Sequence, residues 1–360
     1  MLTYIILITV VLIYSLIQHH LDVTRTHALL LKTSRSYISY YLDFLIIIIL
    51  IIFSGLRYNV GTDYAQLYQL YSSFVGQDFF EIFFNCLADY EFGKWFIIAS
   101  CLKITNNPRF IFFIMSILFI LPIYSCLRRK IKYYYYGIFI VIAIGFYTTS
   151  FNIMWQMIAV SLLFFSNIYL ESNKKSKFFL LVLIAGTIHI SALIAGTIIL
   201  LIRKLKFNEK NFLYIALIFV FILFGQKSIP IILSKIGNYS MYSSYRGSGL
   251  GLYLQIIVWG CMFLLLFYNK KKYIKNNPTN YYYLLYVAIA IGFMIVGTQN
   301  VMFDRIAVYF KLYILLLLPN FMEANNNKVK PLVIYVIMCC LVIWYLFYLN
   351  YNGVIPYRIY

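Results

Sequence analysis

The sequence is short of charge, and above all short of carboxylates. Of its 360 residues 11% are charged, with 11 acids against 30 bases, while 63% are apolar and several unbroken apolar runs approach helix-spanning length. So little charge cannot clothe a water-soluble core of this size. Runs near twenty residues match instead the roughly 30 Å hydrocarbon layer of a bilayer at about 1.5 Å per helical residue. The apolar-polar alternation of a membrane β-strand is missing as well, so backbone groups inside lipid must be satisfied within helices. The expectation is an all-α, polytopic integral membrane bundle forming a single transmembrane domain over residues 1–360.

Other scarcities exclude further classes. The six cysteines (Cys86, Cys101, Cys126, Cys261, Cys339, Cys340) lie mostly in apolar segments, without a paired framework or metal-ligand spacing. They read as small packing residues. No Asp-x-Asp pair occurs, which argues against a metal-held diphosphate, and no cofactor motif is present. "HHLDVTRTH" (His19, His20, Asp22, His27) resembles a metal cluster only on paper, because no second shell accompanies it. The opening run "MLTYIILITVVLIYSLI" lacks a basic segment and a small-residue cleavage site, so it reads as a retained first helix.

What is present is a net charge of +19, gathered in short clusters between apolar runs. That distribution follows the positive-inside rule and argues against nucleic-acid binding. Full spans are expected at 1–18, 37–56, 109–126, 133–150, 153–170, 211–226, 251–269, 281–297, 304–319 and 331–350. "RRKIK", "NKKSK", "RKLKFNEK" and "KKKYIK" are then cytoplasmic, and residues 57–108 form an external loop with an interfacial or re-entrant helix over 91–104. The apolar stretch 178–202 has basic clusters on both sides. A hairpin of two short helices with His189 at its apex keeps the downstream basic loops inside, and "LIAGTI" in each arm would allow close packing. About twelve membrane helices result, with a second external loop over 227–250.

The polar residues expected at external helix ends are Arg57, Asp63, Glu91, Asn152, Gln156, His189, Arg246, Asp304 and Arg305. Arg57 and Arg305 stand where the charge rule disfavours them, and an ionisable histidine in an apolar run is a functional candidate. Tyr64, Tyr68 and Tyr71 share one helical face, open to reading as sugar contact or aromatic belt, whereas "YYYY" (133–136) and "YYYLLY" (281–286) read as membrane anchors.

Six segments together carry a resemblance: "SGLRYNVGTDYAQLY", "FNIMWQMIA", "IHISALI", "SMYSSYR", "FDRIAVYFKLY" and "IPYRIY". In this order they resemble the landmarks of the EpsG family, Wzy-like membrane proteins of bacterial polysaccharide and O-antigen synthesis. The resemblance implies a metal-independent membrane glycosyltransferase at the outer face of the bacterial plasma (inner) membrane. It would transfer a growing glycan from undecaprenyl diphosphate to a lipid-linked repeat unit, beside flippase and chain-length regulator proteins. Matching the family pattern are Arg57, Tyr58, Gly61, Thr62 and Asp63, then His189, Ser191 and Ala192, then Arg305. One departure stands out: Trp155 precedes Gln156 where the family usually has arginine, so a cation must come from elsewhere, such as Arg246 or Lys94, or indole stacking on sugar replaces it.

On that basis Arg57, Asp63 and His189 are the expected catalytic residues, and Arg305, Gln156, Asn152, Glu91, Tyr64, Trp155 and Arg246 are expected to bind substrate. Arginine suits the charge that develops on a leaving diphosphate, and Asp63, Glu91 or His189 could act as base toward an acceptor hydroxyl. A lipid-oligosaccharide flippase or a non-catalytic assembly subunit are the alternatives. A flippase should carry charge along a path through the membrane, where Lys311 is the main exception to an apolar interior.

Overall fold

The computed structural model describes residues 1–27, 37–85, 87, 90–225, 250–324 and 330–359. Among them are eighteen helices and no strand, in two compact units, one comprising 1–192 with 327–360 and the other 193–326. The first unit holds α1 (Leu2–His27), α2 (Tyr37–Gly55), α3 (Tyr64–Ser72), α4 (Phe79–Asn85) and α5 (Phe92–Ile104). It continues with α6 (Arg109–Lys130), α7 (Tyr134–Ala143), α8 (Phe146–Thr149), α9 (Met154–Glu171), α10 (Lys175–Ile188) and, at the chain's end, α18 (Lys330–Leu349). After α11 (Ser191–Arg203), the second unit holds α12 (Lys210–Gly225), α13 (Leu250–Tyr268), α14 (Lys270–Asn276), α15 (Asn280–Gly297), α16 (Val301–Lys311) and α17 (Ile314–Ala324).

Among the described residues five helices are long and apolar enough to cross a membrane: α1, α2, α6, α13 and α15. Their outward faces are apolar: Leu45 and Ile52 on α2, Ile257 and Leu264 on α13 are all exposed. Surfaces of this kind suit lipid and would drive association in water. The protein is therefore a multi-pass helical membrane protein.

In the first unit α7 is the buried centre, with all ten of its residues enclosed and α1, α6 and α18 packed on it. The expected single span over 133–150 is corrected here. Gly145, at φ +87°, stops α7 and redirects the chain into the short α8. A Cβ at Gly145 would lie 2.2 Å from the Tyr348 ring, so glycine supplies both the left-handed backbone and the space. At about 1.5 Å per residue α7 is roughly 15 Å long, half a bilayer.

The tyrosine runs are corrected as well. Tyr133–Tyr136 are buried, as are Tyr281, Tyr283 and Tyr286, so these rings belong to the protein interior and not to a membrane belt. Tyr134 donates to Asp43 Oδ1 at 2.6 Å, joined by Tyr14 (2.7 Å) and Gln18 (2.9 Å), while Tyr124 donates to Oδ2 at 2.7 Å. Arg128 lies 3.9 Å from the same carboxylate. An ionised carboxylate inside an apolar helix is tolerable only with this density of donors. The sequence reading overlooked Asp43.

The second unit is built around α15, whose buried face carries Tyr286 against Tyr313 (4.4 Å between ring centroids) and Phe293 against Phe310 (5.9 Å). The expected span over 304–319 is instead two helices, α16 and α17, separated by Leu312 and Tyr313. Lys311, buried at the end of α16, reaches back one face of the helix to donate to Asp304 at 2.9 Å.

Two further elements are irregular. The segment over 91–104 forms α5, a 13-residue helix packed on α6 and α10. The apolar stretch 178–202 breaks at His189, whose extended backbone (φ −151°, ψ 116°) separates α10 from α11. Close packing does involve the first "LIAGTI" arm, but against α5: a Cβ at Gly93 would fall 2.3 Å from Thr187 Oγ1.

Candidate active site

Two groups of polar residues, both in the first unit, hold half of the candidates. The first is the loop after α2. Arg57 is 2% exposed, and its guanidinium is spent on the loop itself: Nε donates to the Val60 carbonyl at 3.3 Å, and Nη1 donates to the Ser54 carbonyl and to Ser54 Oγ. Nη2 meets the Met154 sulfur at 2.7 Å. Rings surround the cation, with Phe151, Phe112 and Tyr64 centroids at 4.5, 5.5 and 5.8 Å from Cζ. Burial pulls the guanidinium down to about 10, still cationic at neutral pH.

Arg57 and Asp63 do not form an ion pair. Asp63 precedes α3 and accepts from Thr62 Oγ1 at 2.9 Å. The loop is pinned by other parts of the chain. Asn152 Oδ1 accepts from the Thr62 amide at 3.0 Å while its Nδ2 donates to the Asn352 carbonyl at 2.7 Å. Gly61, at φ +100°, lets the backbone pass where a Cβ would stand 2.5 Å from the Phe151 carbonyl oxygen. From the C-terminal segment, Ile359 bridges Arg57, the Arg358 carbonyl accepts from the Tyr58 amide at 2.9 Å, and Tyr357 donates to the Phe53 carbonyl at 2.7 Å.

The second group forms at the α10–α11 break. Ser191 Oγ is 2.8 Å from His189 Nδ1, and Glu91 Oε1 is 3.7 Å from the same nitrogen. Glu91 Oε1 also accepts from the Ile190 amide at 3.1 Å, and Oε2 accepts from Lys94 Nζ at 3.0 Å. The side chains of Glu91, Lys94 and His189 are 16, 19 and 14% exposed. A carboxylate at a helix start is favoured by the dipole and by the unsatisfied amides there. The result is an imidazole held at Nδ1 with a carboxylate beside it.

The remaining candidates occupy other settings. Tyr64 and Tyr71 point inward, Tyr64 stacked on Phe112 at 4.4 Å, while Tyr68 on the same face of α3 is half-buried and stacks on Tyr64. Trp155 is half-buried and donates to the Tyr71 hydroxyl at 3.1 Å, so its indole N–H is used inside the fold. Gln156 is buried. Arg305 is half-buried on α16 in the second unit, where the neighbouring Asp304 is held by Lys311. Arg246, and with it residues 227–249 of the expected 227–250 loop, lies outside the described residues.

Sequence reasoning missed Arg109, the first residue of α6, and Asn107 just before it. With Thr105 and Arg57 they line a cleft of about 340 Å³. The charge rule that singled out Arg57 applies equally to Arg109, which had been absorbed into the start of an apolar span.

The fold and these two groups define a multi-pass helical membrane protein carrying a histidine–carboxylate pair at a helix break and a buried arginine in a loop knitted by the chain's end. The chain belongs to the EpsG family, whose sequence profile matches residues 40–359. No curated protein and no solved structure matches it.

Proposed function

We propose that this protein is a membrane glycosyltransferase that lengthens a bacterial polysaccharide, moving a growing glycan from a polyprenyl diphosphate, undecaprenyl diphosphate in bacteria, onto a lipid-linked repeat unit. Family membership supports the class of activity, and the observation that carries the chemistry is the His189–Ser191–Glu91 arrangement. In this reading His189 is the base. With Nδ1 oriented by Ser191 and Glu91, Nε2 takes the proton from the acceptor hydroxyl as its oxygen bonds to the anomeric carbon. The bond from that carbon to the diphosphate oxygen breaks, its electron pair leaves with the lipid diphosphate, and the configuration inverts. Glu91 stabilises the imidazolium so formed. Asp63, engaged by Thr62 at the start of α3, serves the loop. The distribution of basic loops supports a site on the outer face of the plasma membrane.

Reconstitution tests this. Purified protein supplied with lipid-linked repeat units alone should yield lipid-linked products of increasing length, and His189→Ala should lower chain growth by about 10²- to 10⁴-fold with insertion intact. Translocation of repeat units at unchanged length would refute the proposal.

A further inference from the structure

The cleft beside Arg57 is distinct from the histidine group and has its own chemistry. Its polar residues are Arg57, Arg109, Asn107 and Thr105, its apolar ones include Phe110 and Phe113, and among the described residues no carboxylate lines it. Arg57 is 2% exposed and no carboxylate of the described residues lies within ion-pair distance of it. One of its terminal nitrogens faces only a thioether, a weak acceptor. A buried cation balanced by neutral groups alone is costly, and in a low-dielectric setting its field extends into any adjoining space. Burial lowers the guanidinium pKa to about 10, the direction expected of a cation without a counter-charge.

Arg109 is the second arginine lining the same cleft. It is half-buried, lies 5.4 Å from the Tyr58 ring centroid, and starts α6 with its amide held by Asn107 Oδ1 at 3.0 Å. Two arginines lining one cleft suit a ligand with more than one negative charge, because arginine presents paired donors to phosphate oxygens. Phe110 and Phe113, one turn apart on α6, suit an apolar chain next to that anion. We infer that the cleft binds the diphosphate of a polyprenyl diphosphate, with Arg109 touching the phosphate oxygens and Arg57 acting as the fixed charge behind it. This rests on the proposed function and assigns within it the headgroup of the lipid-linked repeat unit that accepts the glycan, because the 13 residues of α5, about 20 Å at about 1.5 Å per residue, separate Thr105 of the cleft from Glu91 beside His189.

The test is binding of geranylgeranyl diphosphate to the full-length protein in nanodiscs of neutral lipid. Wild type should prefer the diphosphate to the monophosphate and show no saturable binding of the alcohol. Arg109→Gln should weaken binding at least tenfold, with Arg109→Lys intermediate. Asn107→Asp keeps the acceptor for the Arg109 amide while adding a negative charge, and should also weaken binding at least tenfold with thermal stability unchanged. Wild-type affinity in both Arg109→Gln and Asn107→Asp would overturn the assignment. So would equal displacement by phosphatidylglycerol, which would mark a general lipid headgroup site. The two proposals fail separately. Chain growth by Arg109→Gln at the wild-type rate removes the cleft and leaves the polymerase, whereas specific diphosphate binding without chain growth in wild type leaves the cleft and removes the polymerase.

Discussion

Asp43 sits seven residues into an apolar helix and accepts hydrogen bonds from three tyrosines and a glutamine. Removing it leaves those hydroxyls facing one another with no acceptor. Asp43→Ala should therefore cost about 3–5 kcal/mol, read as a fall in thermal unfolding temperature in detergent or nanodiscs. Asp43 was illegible in the sequence because periodicity shows that a helix is apolar, not which side chains from other helices meet a lone carboxylate. The same limit misplaced Tyr133–Tyr136. A tyrosine suits a headgroup layer and a buried acceptor equally well, and the donors' destination, Asp43, lies 91 positions from Tyr134. Arg57 and His189 were legible for the opposite reason. Each is an ionisable group in a place where hydropathy and charge distribution disfavour it, so its presence is informative without neighbours.

At the scale of elements, the loop after α2 depends on a distant strap. The C-terminal segment bridges Arg57, accepts from the Tyr58 amide and stacks Tyr357 on Phe53 with ring centroids 4.1 Å apart. Tyr4 of α1 holds the strap in turn by donating to the Val354 carbonyl at 2.7 Å. Deleting residues 354–360 should leave the protein inserted but open the 57–63 loop, seen as faster cleavage there in limited proteolysis and as loss of chain growth. Unchanged protection of the loop would show that Asn152 suffices to hold it. Helix existence was largely readable from apolar runs, and the break at His189 was expected. The breaks at Gly145 and after Lys311 were not, because a glycine or lysine within an apolar run says nothing about helix continuity until the packing around it is known. Gly145 turns the chain because Tyr348 approaches it, a contact spanning some 200 positions.

At the scale of the whole molecule, the loop between α11 and α12 carries the orientation of the second half of the chain. "RKLKFNEK" is expected on the cytoplasmic side. A single cysteine at Asn208, in a background with the native cysteines replaced, should react with an impermeant maleimide only after the membrane is opened. Labelling from outside would reverse the proposed arrangement of residues 178–202. The sequence by itself determined the solvent, the helical class and the family, because each rests on composition, run length or ordered local motifs that no folding partner alters. The tertiary structure decided what those residues do for one another. It buried Arg57 in its own loop, turned Tyr64 and Tyr71 inward, joined Glu91 to His189 across 98 positions and put Arg109 on the same cleft as Arg57. Those outcomes depend on which helices pack together, and a one-dimensional pattern of polarity does not contain that information.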